Sequence, residues 1–213
     1  MSPIAPRPSR VARARRVKQP KVSIEDRLVA AMESLLERGQ RFGTLTVDQL
    51  SVAAGISRGT FYLHFRDKGE LVARLMSFIT QEIIDSAGTW YGDADAAGPD
   101  DLRAAVVGMV HTFKKHHVIL SAVADLAPID ERVGTMYQAL VDRLCAQSRR
   151  SLAVVRRKGL SRPGATDHMA DTICTMIVEH CVRNVGELDA TGLNRLARSL
   201  AYLGVNAVFA NPD

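Results

Sequence analysis

Three cysteines, one tryptophan and 5 % aromatic side chains are all that this 213-residue chain holds of those residue types. Cys145, Cys174 and Cys181 make no even, closely spaced framework, which argues against a disulfide scaffold and for reduced thiols in a cytoplasmic setting. Cys174 and Cys181 are seven residues apart on one predicted helix. A rise of about 10.5 Å keeps them from pairing within it, leaving contact across a dimer axis as the route to redox sensing. No apolar run approaches the roughly 18 residues of a membrane span, so no membrane partner is expected. No stretch alternates apolar and polar residues with period two, so no strands are expected either. There is no nucleophile elbow, P-loop, dinucleotide fingerprint or zinc-type helix motif, and no acidic or cysteine partner at metal-ligand spacing. These absences point away from an enzyme, a metal and a cofactor.

Charge is present but unevenly placed. The net charge is +5, with 28 basic residues and a sequence pI of about 9.4. Seven of those basic residues (Arg7, Arg10, Arg13, Arg15, Arg16, Lys18 and Lys21) fall in residues 1–23, which hold no acid, leaving 21 basic against 23 acidic residues beyond. Prolines and the lack of apolar periodicity predict a disordered basic arm over 1–22, suited to neutralising phosphates or entering a minor groove. A solvated tail or an Arg-rich targeting peptide would share that composition, but the apolar face of a transit peptide is missing.

The most informative stretch is Thr46 to Lys68, TVDQLSVAAGISRGTFYLHFRDK. Thr46 and Gln49 have capping-box spacing, and Val47, Leu50 and Ala54 share one helical stripe. Gly55 can take the left-handed conformation of a tight turn, Ile56 plugs the corner and Ser57 caps a second helix. This is the pattern of a helix-turn-helix, whose second helix enters a DNA major groove. An ordinary helical corner would show the first half of it. The second half adds Arg58, Thr60, Tyr62 and His64 as donors beside Gly59, which leaves backbone uncovered, while Phe61 and Phe65 lie one turn apart to anchor the helix inward.

Helical periodicity continues along the chain. Ser23 and Asp26 can box the start of a first helix carrying Ile24, Leu28, Met32 and Leu35, stopped at Gly39. Residues 24–75 hold seven basic and seven acidic residues, so any attraction to DNA must come from placement rather than net charge. Lys68 falls where a fourth helix begins, where free N–H groups favour a phosphate. That helix shows two stripes, Leu71, Leu75 and Phe78 beside Val72, Met76, Ile79 and Ile83, and should be sandwiched. After a Gly/Asp/Ala-rich loop, further helices follow. One is marked by Met109 and Phe113, one is stopped at Pro128, one is long and carries Tyr137, and one presents Met169, Ile173, Met176 and His180 on a face. The last, from about Leu193 to Ala210, carries Leu196, Leu200, Leu203 and Ala207 as a core stripe. Ala197, Ala201, Gly204 and Val208 form a second, small-residue stripe, read as a dimer face, with burial inside one subunit as the alternative. The His116-His117 pair follows two lysines and reads as a solvated helix end. The fold expected is all-α, with about nine helices. A helix-turn-helix domain over residues 23–70 precedes a larger helical ligand-binding and dimerisation domain over 71–213.

The segment Thr46 to Leu71 resembles the signature of the TetR family of bacterial transcriptional repressors. The likeness is carried by Thr46, Leu50, Ala54-Gly55-Ile56-Ser57, Thr60-Phe61-Tyr62, His64-Phe65, Lys68 and Leu71. The C-terminal part is distantly similar to the mycobacterial ethionamide-resistance repressor subgroup. The resemblance implies a homodimer that binds a palindromic double-stranded operator in the cytoplasm and is released by a small-molecule effector. It makes Thr46, Ser57, Arg58, Gly59, Thr60, Tyr62, His64 and Lys68 the DNA-binding set, with Arg58 suited to a guanine edge and Tyr62, Thr46 and Lys68 to phosphates. Arg66-Asp67 and Gly69 depart from the family pattern and leave the start of the fourth helix open. Met76, Trp90, Met109, Phe113, Tyr137, Met176 and His180 are the candidates for an apolar ligand pocket, with plain core as the more ordinary reading of each. A helical enzyme or carrier, and a sequence-neutral nucleoid protein driven by the basic arm, remain the competing readings.

Overall fold

The computed structural model describes residues 23–210, so the basic arm of residues 1–22 lies outside the described residues. Within them the chain is all-α. Its helices are α1 (Ile24–Glu37), α2 (Val47–Ala54), α3 (Arg58–His64), α4 (Lys68–Ser86), α5 (Thr89–Gly92), α6 (Pro99–Lys115), α7 (His117–Leu126), α8 (Glu131–Arg157), α9 (Asp167–Asn184) and α10 (Ala190–Val208). Two 3-10 turns, Phe42–Thr44 and Val185–Glu187, complete the regular elements, and a single β-bridge joins Ser161 to Phe209. Ten α-helices stand against about nine expected. The additional one, α5, is a single turn, too short to show a periodicity.

Local chemistry sets the boundaries. At α1 the Asp26 N–H donates to Ser23 Oγ at 3.0 Å while the Ser23 N–H donates to Asp26 Oδ2 at 3.2 Å, closing the box read from sequence. Gly39 ends that helix region with φ of +82°. Helix α6 begins with Pro99, has Asp100 and Asp101 in its first turn and closes on Lys114 and Lys115, so charge at both ends complements the helix dipole. The 27 residues of α8 span about 40 Å.

In the tertiary packing α1 lies on α2, and α4 is held between α6 and α8. Helix α9 lies along α8, and α10 covers α6 in the most extensive helix pair. One connected apolar core runs from Leu28 in α1 to Phe209, and the division expected near residue 70 falls within the first turn of α4.

Two faces depart in part from expectation. Ala197, Ala201, Gly204 and Val208, expected on a dimer contact, are buried inside the chain. Ala197 and Ala201 are buried where α10 lies on α6, so this stripe is an internal face. Of the bulkier stripe Leu200 is buried and Leu196 packs against the core as expected, whereas Leu203 is 49 % and neighbouring Tyr202 67 % exposed. On α9 the buried residues are Ala170, Cys174, Ile177, Val178, Cys181 and Val182, while Met176 and His180 of the expected inner face reach solvent. Phe78 of α4, expected in an inner stripe, is likewise exposed.

Candidate nucleic-acid interface and its link to an apolar cavity

The corner between α2 and α3 is built from local bonds. Thr46 Oγ1 accepts the Gln49 N–H at 3.2 Å, and the Gln49 side chain accepts the Thr46 N–H at 2.8 Å. Gly55 ends α2 with φ of +62°, ψ of +39°. Arg27, on α1, donates to the Gly55 carbonyl at 2.6 Å, so the turn is pinned to the helix beneath it. A Cβ at Gly55 would stand 3.0 Å from that same guanidinium, giving two independent reasons for glycine there. Ser57 then caps α3, accepting the Thr60 N–H at 2.9 Å and pairing with the Thr60 hydroxyl at 2.8 Å.

Helix α3 is divided cleanly between an inner and an outer side. Phe61 is fully buried and Phe65 nearly so, and their rings lie 5.4 Å apart. Outward stand Arg58, Gly59, Tyr62, Leu63 and His64, with Leu63 85 % and Tyr62 47 % exposed. The Arg58 guanidinium lies 5.6 Å from the centre of the Tyr62 ring and pairs with Asp48 of α2 at 3.2 Å. Both partners of that pair are well exposed, so it adds little stability. Its effect is to hold the guanidinium along the outer side of the two helices. Neither Asp48 nor Leu63 stands out in the sequence, because an exposed acid and an exposed leucine carry no local signal of their own.

Lys68 is placed differently from the other expected contacts. Its ammonium donates to the carbonyls of Phe42, Gly43 and Leu45 at 3.3, 3.1 and 2.9 Å. Burial lowers its pKa, with Asp130 opposing that shift. An ammonium has three donors, and here all three tie the 3-10 turn to the start of α4. Replacing it by methionine, Lys68→Met, is therefore expected to lower stability by about 1–2 kcal/mol, discounted for partial exposure, or roughly 4 °C in Tm. The slope of log K against log salt for DNA binding should stay unchanged. A slope reduced by about 0.9 would instead identify a phosphate contact.

The open question of where α4 begins resolves at Lys68. Asp67 caps it, accepting the Glu70 N–H at 2.8 Å. Glu70 accepts the Arg66 backbone N–H at 2.9 Å, the Arg74 side chain at 2.8 Å and the Arg66 side chain at 3.1 Å, in an arrangement that holds its carboxyl down to about 2. Its contribution to stability is thus present above the ordinary carboxylate range and disappears only as pH falls toward 2. A Cβ at Gly69 would meet the Arg132 guanidinium of α8 at 2.7 Å, so a side chain at this departure from the family pattern would displace the end of that arginine.

Further along α4, Glu82 joins the first unit to the rest. It receives His116 Nε2 at 2.5 Å and Lys115 Nζ at 2.7 Å, while His116 Nδ1 stands 3.5 Å from Glu33 of α1. His116 is 3 % exposed. It is not the solvated helix end expected from the two lysines before it: His116 is the single residue between α6 and α7, and its imidazole is folded in.

Between α5, α6, α8, α9 and α10 lies an apolar cavity of about 50 Å³, room for a few water molecules. Of the seven expected pocket residues Trp90, Met109 and Phe113 line it. The other four do not. Met76 is buried along a groove between α4 and α8. The Tyr137 hydroxyl donates to Glu179 at 2.7 Å, and Met176 and His180 face solvent. The cavity also contains what the sequence reading missed: Tyr91, Ser148 and Cys174 as its polar groups, and Gly204 in its wall. Tyr91 Oη and Ser148 Oγ are 2.8 Å apart, 57 residues distant in sequence, a pairing that helical periodicity cannot reveal. Burial pushes the Tyr91 phenol up and the Cys181 thiol up to about 12. Among the described residues no cluster of three or more His, Cys, Asp or Glu side chains could hold a metal ion, and no helix is long and apolar enough to cross a membrane.

Residues 28–75, from mid-α1 into α4, match the sequence profile of the bacterial regulatory proteins of the tetR family. Over 155 residues the chain is 23 % identical to the HTH-type transcriptional regulator EthR of Mycolicibacterium smegmatis, covering 71 % of this chain and 70 % of that one. Among solved structures, the fatty acid degradation regulator FadR of Bacillus halodurans is similar with a TM-score of 0.67, 18 % identity and coverage of 88 % and 96 % of the two chains. The ketosteroid transcriptional regulator KstR2 of Mycobacterium tuberculosis gives a TM-score of 0.61 at 17 % identity, covering 92 % and 100 %. At such identities the likeness is one of fold.

Proposed function

The chain belongs to the TetR family of bacterial regulatory proteins, and from that premise we propose that it is a cytoplasmic, homodimeric transcriptional repressor whose α3 reads a palindromic operator and whose grip is released by a small effector in the apolar cavity. The observation that carries the DNA-binding half is the division of α3. Its inner side is locked by Phe61 and Phe65, and Arg58, Tyr62 and His64 are left on the outer one beside the bare backbone of Gly59. A rigid helix with donors on its free side is what major-groove readout requires. No catalytic step is part of this reading.

The exposed apolar side chains Met176 on α9 and Tyr202 and Leu203 on α10 support a second copy as the partner, in place of the internal stripe on α10. Two recognition helices then need a separation of roughly 34–36 Å to meet successive major grooves. An effector that favours another separation lowers affinity by shifting the population. Arg58→Ala should cost about 1–3 kcal/mol at a cognate site and relax preference at one base pair in each half-site. Electrophoretic shift with DNA flanking the gene, at moderate salt and with scrambled competitor, checks both statements. Equal retention of palindrome and competitor by the wild-type protein would end the operator reading, and would leave the basic arm as the source of any binding.

A further inference from the structure

We infer that the effector is an uncharged, slender, mainly apolar molecule with a single carbonyl-type acceptor, not a carboxylate or an amine; this rests on the reading of the α5–α6–α8–α9–α10 cavity as the effector site. Its lining contains no Lys, Arg, Asp, Glu or His side chain. A charged head placed there would lose its hydration with no counter-charge to replace it, the costliest transfer a site can demand. The ion pair near this region, Arg149 with Asp171, is satisfied within itself, and neither partner lines the cavity.

One corner is polar. Tyr91 Oη and Ser148 Oγ, 2.8 Å apart, own two hydroxyl protons between them, and their mutual bond uses one. Both protons stay in place at neutral pH, because burial raises the phenol's pKa. Beside this pair lie the Cys174 and Cys145 thiols, and sulfur is a weak acceptor for the second proton. A ligand carbonyl oxygen is the better partner for that donor. One donor suits one neutral acceptor, whereas a carboxylate needs several donors or a cation.

Shape narrows the class further. The cavity is narrow, about 50 Å³, so a slender guest fits it best and the surrounding helices must part to admit one. Gly204 marks where it can lie: a Cβ there would meet nothing within 4 Å although the residue is buried. The glycine thus leaves a gap in the wall that α10 presents to the cavity.

The test uses the full chain without DNA, titrated calorimetrically at pH 7 with four seven-carbon probes: 2-heptanone, heptane, heptanoate and heptylammonium. Expected are 2-heptanone about fivefold tighter than heptane, the worth of one neutral hydrogen bond, and both charged probes at least twentyfold weaker than the ketone. The double variant Tyr91→Phe/Ser148→Ala should erase the ketone's advantage and leave heptane unchanged. Gly204→Leu should weaken both neutral probes at least tenfold; should it fold poorly, Gly204→Ala gives the same ranking with a smaller loss. Binding of heptanoate or heptylammonium within twofold of the ketone, a ketone advantage that survives the double variant, or no binding of any probe to the wild-type chain each overturns the inference. If 2-heptanone binds as stated yet fails to release bound operator, the ligand class stands and the release mechanism falls.

Discussion

Gly108→Ala is expected to destabilise the protein by about 2 kcal/mol in urea unfolding, although helix propensity alone argues for the opposite sign. Within a helix, alanine is favoured over glycine by roughly 0.5–1 kcal/mol, and Gly108 lies in the middle of α6. Steric opposition outweighs that gain. A Cβ at Gly108 would fall far inside 3.0 Å of the Ser86 carbonyl oxygen in the last turn of α4, with the Ser86 carbonyl carbon at 3.2 Å. Both obstacles are backbone, so no rotamer change relieves the clash and the two helices must part. Overpacking of this kind typically costs about 1–3 kcal/mol. Gly92→Ala supplies the control, since a Cβ there meets nothing within 4 Å and its φ is not positive; it should be neutral or slightly stabilising. The displacement should also reach DNA. Helix α4 runs 19 residues, about 28 Å, from the crossing with α6 back to the cap that follows α3. Operator affinity is therefore expected to fall about tenfold in Gly108→Ala. A variant as stable as Gly92→Ala would disprove the close crossing, and undiminished operator affinity would disprove α4 as the lever.

The corner and its caps were legible because their causes are local. Ser23 with Asp26, Thr46 with Gln49, and Gly55 before Ser57 each act through backbone groups within four residues, so spacing alone specifies the bond. The same holds for Phe61 and Phe65, one helical turn apart on the inner side of α3. What failed was choosing between two apolar stripes on one helix. On α10 the small stripe reads as a partner face, yet it is buried inside the chain together with Leu200, and only Leu203 of the larger stripe, beside Tyr202, is left outside. Periodicity reports that two faces exist; size complementarity with a helix remote in sequence decides which is inside. On α9 the same ambiguity put Met176 and His180 inward.

The candidate sites show a parallel division. Residues of the α3 outer side could be assigned from sequence because a donor next to an anchored aromatic must point away from it. Lys68 could not, since the carbonyls that take its three protons belong to a turn some 25 residues earlier. Nor could Arg27, whose partner is the carbonyl of Gly55. The cavity was legible only where a large apolar residue happened to line it. Its polar corner depends on Tyr91 and Ser148 meeting across 57 residues, and its shape depends on the absence of a side chain at Gly204. Neither a long-range pair nor a missing atom leaves a mark on periodicity.

Adjacent residues of α3 should separate stability from contact. Phe61→Ala removes a fully buried ring that packs 5.4 Å from Phe65 and edge-on to Tyr62 at 5.5 Å. Truncating a buried phenylalanine costs about 3–5 kcal/mol, against a total that for whole domains is only about 5–15 kcal/mol. Helix α3 is held inward by Phe61 and Phe65 and rests on α2, itself packed on α1. Its order should be lost, and operator binding with it, by more than a hundredfold. The cavity lies among α5 to α10 and should still take its neutral ligand, so calorimetry with that ligand distinguishes local from global unfolding. Tyr62→Ala should do the reverse. Its ring is half exposed, so stability should change by no more than about 0.5 kcal/mol, while operator affinity drops about tenfold through loss of the phenol and of its stacking on Arg58. Equal thermal losses for the two variants would mean that Tyr62 is a packing residue, and the outer side of α3 would then rest on Arg58 and His64 alone.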